Sequence, residues 1–101
     1  MAGMANLRAQ EELHLFPNPA TPHVYIDYRA PQELIGQEAR IEVYDVQGRL
    51  VWCENNLISG ALSRAVWKGI DSRGHSVGSG NYLVQVSLGS RMLKKTVTLV
   101  R

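Results

Sequence analysis

Short apolar runs separated by turn-forming residues dominate this 101-residue chain. The runs are rich in Val, Ile, Leu and Tyr, and Gly, Pro, Asn or Asp interrupts them repeatedly. Branched and aromatic residues favour extended strands, whereas the interrupting residues favour turns. A short helix is conceivable only over residues 5–13, where no convincing cap is present. The pattern predicts an all-β protein.

Seven strands are predicted, near residues 13–16, 23–28, 39–46, 49–55, 62–67, 81–88 and 91–100. Seven short antiparallel strands within about 90 residues are typical of an immunoglobulin-like β-sandwich. We therefore predict a seven-stranded, antiparallel, immunoglobulin-like sandwich over residues 13–101. Residues 1–12 are predicted to be either a remnant of the expression vector or a linker.

Alternation along two of these strands predicts which side chains enter the core. A strand directs successive side chains to opposite faces of its sheet. The residues predicted to point inward are Val24, Ile26, Tyr28, Tyr82, Val84, Val86 and Leu88.

The segment DVQG at residues 45–48 predicts a hairpin. A three-residue loop with Gly48 as the left-handed bulge residue pairs Val43 with Val51 and Ile41 with Cys53. A two-residue turn pairs Ile41 with Glu54 and mixes apolar and polar faces, so we favour the first register. It sets Arg40 opposite Glu54 and makes Cys53 a core residue.

The segment DSRG at residues 71–74 repeats this turn pattern. An Asp that opens a turn accepts backbone N–H bonds, and a Gly three residues later takes a positive φ. Asp45 and Asp71 are therefore predicted to form turns. Calcium binding is a distant second interpretation, because neither loop supplies a second or third carboxylate.

Charge is distributed unevenly along the chain. Up to and including Asp71 there are nine acidic and six basic residues, and beyond it there are five basic residues and no acidic one. Such asymmetry marks either a surface that meets an anionic partner or an edge strand protected by lysines. Charge alone leaves both interpretations open.

Enzymatic chemistry is not indicated by any motif. His14, His23 and His75 lack metal-ligand spacing, and Cys53 is the only cysteine. There is no nucleophile elbow and no phosphate-binding glycine loop. We predict no enzyme activity, no metal site and no cofactor. Basic residues are few and not interleaved with aromatic ones, so no nucleic-acid partner is predicted.

Three aromatic residues, Tyr25, Tyr44 and Trp52, are predicted to point outward. They could form a stacking platform for sugars, or they could cover the sheet or face a neighbouring domain. A carbohydrate-binding sandwich is therefore one alternative function.

Four segments in order carry a family resemblance. They are LFPNPA at residues 15–20, VYDVQGRLV at 43–51, GNYLVQV at 80–86 and the basic strand KKTVTLVR at 94–101. Together they resemble the C-terminal sorting domain of the type IX (Por) secretion system, over about residues 13–101. The resemblance implies transit through the periplasm and delivery to the cell surface or the medium.

The partners implied by the resemblance are the type IX outer-membrane translocon and shuttle proteins and a sortase. In many members the sortase cleaves before the domain and joins the cargo to anionic lipopolysaccharide. In a few members the domain is retained, and a component of the surface attachment complex carries one too. A retained domain that binds anionic lipopolysaccharide is thus an alternative.

The resemblance assigns partner recognition to the residues that match the GxY and terminal motifs: Gly80, Tyr82, Val84, Val86, Lys94, Lys95, Val97 and Val100. The structural motif residues that it assigns are Pro17, Asn18, Pro19, Asp45, Gly48 and Arg49. Alternation places Lys95 on the same face as Leu93 and Val97, which predicts a bulge or a rim position there.

Two further interpretations remain open. Residues 67–74, WKGIDSRG, followed by the GxY motif, resemble immunoglobulin-like domains of flagellar hook-cap proteins, which are structural assembly modules. The last strand could also pair with an edge of a partner or of a second copy, which would give a homodimer.

Overall fold

The structure, a computed structural model, describes residues 12–101. Two antiparallel sheets pack against each other, with strand orders β1-β2-β5 and β4-β3-β6-β7. The segment at residues 5–13 and the proposed leader or linker lie almost entirely outside the described residues. The strands are β1 (Leu13–Phe16), β2 (Val24–Arg29), β3 (Glu38–Tyr44), β4 (Leu50–Leu57), β5 (Leu62–Trp67), β6 (Gly80–Leu88) and β7 (Arg91–Leu99).

The predicted immunoglobulin-like sandwich is confirmed, and each strand begins and ends within two residues of its predicted bounds. A 3-10 helix at Gln32–Leu34, between β2 and β3, was not predicted. Within residues 12–101 no helix has the length and apolar character needed to cross a membrane.

The core lies between the two sheets and contains the residues predicted to point inward. Val24, Ile26 and Tyr28 are completely buried. Trp67 on β5 is completely buried and packs edge-on against Tyr82 at 5.1 Å between ring centroids. Its indole N–H donates to the Ile70 carbonyl at 2.8 Å. Tyr82, Val84, Val86 and Leu88 are also buried, as predicted.

The predicted register of the β3–β4 hairpin is wrong, although the predicted turn is right. Asp45 and Arg49 close a three-residue loop in which Gly48 has a φ of +83°. Tyr44 then pairs with Leu50, but Val43 pairs with Trp52, so Val51 is an extra residue in β4. The bulge has a physical cause in another part of the chain: the Val51 carbonyl accepts hydrogen bonds from the Ser72 N–H and hydroxyl, at 2.9 and 3.2 Å.

This one-residue shift moves the side chains of β4 between faces. Cys53 pairs with Glu42 on the outer face and is half-buried, so it is not the core residue that was predicted. Trp52 pairs with the buried Val43 and packs against the core instead of pointing outward. Arg40 faces Asn55 across the ladder, and Glu54 faces Ile41.

The turns at residues 45–49 and 71–75 have the same hydrogen bonds, as expected from their shared pattern of an Asp followed three residues later by a Gly. One carboxylate oxygen of Asp45 accepts the N–H groups of Gln47 and Arg49, at 2.9 and 3.0 Å. One oxygen of Asp71 accepts those of Arg73 and His75, both at 2.9 Å. The backbone bond from Arg49 lowers the pKa of Asp45, and the corresponding bond from His75 lowers the pKa of Asp71.

These lowered pKa values predict how stability depends on acid. A carboxyl whose pKa is lowered by folding stabilises the fold fully above its ordinary pKa, and this contribution is lost as pH falls through the lowered value. We expect the free energy of unfolding to decrease below about pH 4. The variant Asp45→Asn with Asp71→Asn should lose part of that dependence in urea titrations at a series of pH values. An unchanged acid dependence in the double variant would contradict this assignment.

Candidate recognition surface

The β6–β7 hairpin carries the residues that the resemblance assigned to recognition. Its register runs without interruption from Gly80 opposite Leu99 to Leu88 opposite Arg91. Tyr82 points into the core and donates its hydroxyl to the Gly78 carbonyl at 2.6 Å. Burial raises the pKa of the Tyr82 phenol, which favours the protonated form that makes this bond.

The assigned residues divide into a buried and an exposed set. Tyr82, Val84, Val86 and Val97 are buried side chains of the core. Gly80, with a φ of +154°, lies at the exposed start of β6. Lys94 and Lys95 are exposed on β7, and Val100 is exposed directly after it. The structure therefore separates residues that hold the hairpin in place from residues that a partner can touch.

Lys95 occupies a rim position and not a bulge. It pairs with the buried Val84, on the side of the sheet that faces the core, and the ladder on both sides of it is regular. It is nevertheless exposed, because β7 is the edge strand of its sheet. Lys94 pairs with Gln85 and lies on the outer face. The sequence predicted either a bulge or a rim position for Lys95, and the regular pairing of β6 with β7 shows that it is a rim position.

The basic residues that follow Asp71 differ in their partners. Arg91 forms an ion pair with Glu12, and the Arg101 guanidinium donates to the carbonyls of Val77 and Gly69. Lys94 and Lys95 have no acidic partner within salt-bridge distance among residues 12–101. Two consecutive lysines without an acidic partner therefore lie on the edge strand β7, with their side chains on opposite sides of the sheet.

The PNPA segment joins the two sheets at the end of β7. Pro17 and Pro19 have no N–H to donate, so the first strand leaves its pairing with β2 here. The Asn18 side-chain oxygen accepts the Thr98 N–H at 3.0 Å. Ala20 then donates to the Thr98 carbonyl and accepts from the Val100 N–H, both at 2.8 Å. The three assigned motif residues of this segment thus lie at a crossover between sheets, held by hydrogen bonds that the sequence did not reveal.

The outer face of the larger sheet holds an open groove of about 550 Å³, which we call the outer groove. Leu83 and Thr96 pair across its floor, and Tyr44 and Gln85 lie beside them. Glu42, which accepts a bond from Gln85 at 2.9 Å, borders this side of the sheet. The hydrogen bond from Arg40 lowers the pKa of the Glu42 carboxyl. Leu83, Gln85 and Thr96 were not assigned from the sequence, yet the alternation that buries Tyr82 and Val84 also turns residues 83 and 85 outward.

The predicted aromatic platform does not form. Tyr44 lies at the outer groove, Trp52 packs against the core, and Tyr25 lies on the outer face of the other sheet. There Tyr25 packs against Phe16 at 5.4 Å, and Arg64 lies 5.0 Å from its ring centroid. Ring faces that pack against neighbouring side chains are not free to stack on a sugar.

Within residues 12–101 no three His, Cys, Asp or Glu side chains lie close enough together to bind a metal ion. His14 stacks on Phe16 at 4.9 Å, and His75 lies 3.9 Å from the Asp71 carboxylate.

The fold is an antiparallel β-sandwich whose last hairpin carries exposed basic residues. The model of the family "Secretion system C-terminal sorting domain" matches residues 14–100, and the chain belongs to this family, the type IX (Por) sorting domains. This is a family of secretion signals and not of enzymes.

Solved structures share the fold. One is PorZ of Porphyromonas gingivalis, described as an essential bacterial surface component of the type IX secretion system (TM-score 0.63, 21% identity). Another is dimeric latent PorU of the same organism (TM-score 0.61, 23% identity). Each match covers 88% of this chain but only 11% and 9% of the respective protein, so the chain spans about a tenth of their length. No curated protein sequence matches the chain.

The Asn18 contact generates a stability prediction. Asn18→Ala removes the acceptor of the Thr98 N–H, and we expect the free energy of unfolding to fall by about 1 kcal/mol. Hydrogen exchange should accelerate at the Thr98 amide in particular. Asn55→Ala, at an exposed position of β4, is the matched control and should leave that amide unchanged. Unaltered exchange at Thr98 in Asn18→Ala would show that the contact does not hold β7.

Proposed function

We propose that this domain directs its parent protein across the outer membrane by presenting the β6–β7 hairpin to the type IX translocon and shuttle proteins. The observation that carries the proposal is the pair Lys94 and Lys95, exposed and unneutralised within the described residues, on a hairpin that belongs to a secretion-signal family. Exposed cations of this kind steer and orient an anionic partner.

The buried motif residues act indirectly in this proposal. Tyr82, Val84 and Val86 fix β6 to the core, and Val97 does the same for β7. Their role is to hold Lys94 and the outer groove in one geometry, so the signal is a folded surface and not a linear sequence. A partner that binds this surface contacts the exposed Lys94, Lys95 and Thr96 and the half-buried Leu83 and Gln85 beside them.

We further propose the route and the fate of the parent protein. The domain passes through the periplasm, and a sortase then separates it from cargo that becomes attached to anionic lipopolysaccharide at the cell surface. The alternative is retention of the domain at the surface, where Lys94 and Lys95 would bind anionic lipopolysaccharide directly. The likeness to PorZ, described as a surface component, is compatible with the alternative but covers the fold alone.

Other functions have less support. The sugar-platform interpretation loses its aromatic trio, because Tyr25, Tyr44 and Trp52 lie on different surfaces. The assembly-module interpretation rests on residues 67–74, whereas the family match extends over residues 14–100.

Export is the direct test of the proposal. Residues 1–101 are fused to a periplasm-directed fluorescent protein in a type IX-competent bacterium, and surface and medium fluorescence are measured. We expect export of the unaltered fusion and a decrease of about tenfold in Lys94→Ala with Lys95→Ala, because both exposed charges are lost.

The matched control is Lys68→Ala with Arg73→Ala, which removes the same charge from exposed positions away from the hairpin. It should be exported within about twofold of the unaltered fusion, since isolated surface substitutions have small effects. Thermal unfolding of each purified variant verifies the fold. Periplasmic retention of the unaltered fusion would refute autonomous sorting, and full export of the Lys94–Lys95 variant would refute a role for these lysines.

A further inference from the structure

We infer that the edge of β4 over residues 53–57 is a strand-addition site for an extended segment of a partner protein that carries a basic residue. In strand addition the segment pairs with the edge as a further strand of the sheet. This edge lies on the opposite side of the larger sheet from β7, since the strand order is β4-β3-β6-β7. The inference therefore concerns a second surface and does not depend on the role proposed for Lys94 and Lys95.

The two edges of the larger sheet differ in what lies beside them. At one edge, β1 runs alongside β7. At the other edge, only β3 runs alongside β4 among the strands of residues 12–101. β5 meets β4 at Asn56, whose side-chain N–H group donates to the Arg64 carbonyl at 3.2 Å. Among the described strands of this sheet, β4 is therefore the edge that another strand can join.

The open part of β4 has two defined ends. At its start, the N–H and hydroxyl of Ser72 occupy the Val51 carbonyl at 2.9 and 3.2 Å. At its end, β4 stops at Leu57 and the chain turns towards β5. Between these ends the pairing with β3 is regular from Trp52 onwards. An added strand therefore pairs with the five residues 53–57.

Main-chain hydrogen-bonding groups are available along this part of the edge. In an antiparallel ladder the N–H and C=O of successive residues point alternately to the two sides of the strand. The Val51 carbonyl points away from β3, because it accepts from Ser72. Alternation directs the main-chain groups of three residues to the same side: Cys53, Asn55 and Leu57. No group of residues 12–101 forms a hydrogen bond with them on that side.

Charge selects the occupant of the edge. Glu54 is exposed in the middle of the five residues and has no basic partner within salt-bridge distance among residues 12–101. Opposite charges that face each other across a strand pair stabilise it, and like charges destabilise it. A segment that places Lys or Arg opposite Glu54 therefore gains an ion pair in addition to its main-chain hydrogen bonds.

A second copy of β4 fits this edge less well than a basic segment. In an antiparallel pair of two β4 edges centred on Glu54, two carboxylates would face each other. In a pair centred on Asn55, Glu54 would face the Asn56 side chain of the second copy. Neither register gives Glu54 a cation, and an uncompensated charge on an edge strand discourages pairing.

The outward side chains of the edge indicate the rest of the segment. Cys53, Asn55 and Leu57 share the outer face of the sheet, and the Leu57 side chain is 59% exposed. Apolar branched residues opposite Cys53 and Leu57 would cover these side chains, and a polar residue suits the position opposite Asn55. The capped peptide Thr-Val-Thr-Thr-Lys-Val-Thr has this pattern when it pairs antiparallel to β4 with its lysine opposite Glu54.

Binding of this peptide to the isotope-labelled chain, residues 1–101, tests the inference, with hydrogen exchange at individual amides as the readout. We expect exchange at Cys53, Asn55 and Leu57 to slow by about tenfold, because these N–H groups become bonded to the added strand. Exchange at Glu54 and Asn56 should not change, since alternation directs their N–H groups to β3.

Two control peptides separate strand addition from simple charge attraction. The same peptide with alternate amides N-methylated keeps its charge but cannot pair, so it should protect none of the three amides. The peptide with Glu in place of Lys keeps its main-chain groups but faces Glu54 with a like charge. Its Kd should be higher by about tenfold.

A pair of variants tests the charge from the side of the protein. Glu54→Lys should raise the Kd of the lysine peptide by about tenfold, because the ion pair becomes a like-charge pair. The matched control is Glu33→Lys, which changes the net charge equally at an exposed position of the 3-10 helix. It should raise the Kd by no more than about twofold.

Several outcomes would overturn the inference. They are absence of protection at Cys53, Asn55 and Leu57, equal binding of the N-methylated or the glutamate peptide, and equal effects of Glu54→Lys and Glu33→Lys. A dimer mass in sedimentation with the three amides protected before peptide is added would give the edge to a second copy. None of these results bears on export through Lys94 and Lys95, which the fusion experiment tests at the other edge of the sheet.

Discussion

The contact between the PNPA segment and the end of β7 is the constraint on which the presented surface depends. Asn18 and Ala20 bond Thr98 and Val100, so a segment near the start of the described chain fixes the last strand. The other attachments of β7 are its pairing with β6, the ion pair of Arg91 with Glu12 and its buried side chains, among them Val97 and Leu99. The opening motif and the terminal motif of the family therefore act together.

The β6–β7 hairpin combines buried side chains that fix it to the core with exposed lysines that have no acidic partner among the described residues. Tyr82 and Val84 are buried and leave β6 little freedom to move, because core side chains are closely packed. Lys94 and Lys95 are consecutive residues of β7. Both are exposed and have no acidic neighbour within salt-bridge distance among the described residues. An isolated surface charge adds little to stability. In the proposed function, Lys94 and Lys95 therefore serve to bind a partner and not to stabilise the fold.

The fold and the inward faces of β2 and β6 could be predicted from the sequence, because strand alternation and turn-forming sequences are local signals. The turns at Asp45 and Asp71 were predictable for the same reason. The register of β4 was not, since the bulge at Val51 depends on Ser72, which lies 21 residues further along the chain. The bond between Asn18 and Thr98 spans 80 residues and has no local signature. The resemblance identified Lys94 and Lys95, but only the ladder register showed that Lys95 lies on a rim.

Site-specific crosslinking during export tests the central claim most directly. A photocrosslinking phenylalanine replaces Lys94 in one copy of the exported fusion and Lys68, exposed and outside the hairpin, in another. Mass spectrometry then identifies what each position captures at the outer membrane. The account predicts that position 94 captures outer-membrane components of the type IX system and that position 68 does not. Equal capture from both positions, or capture from position 68 alone, would contradict it.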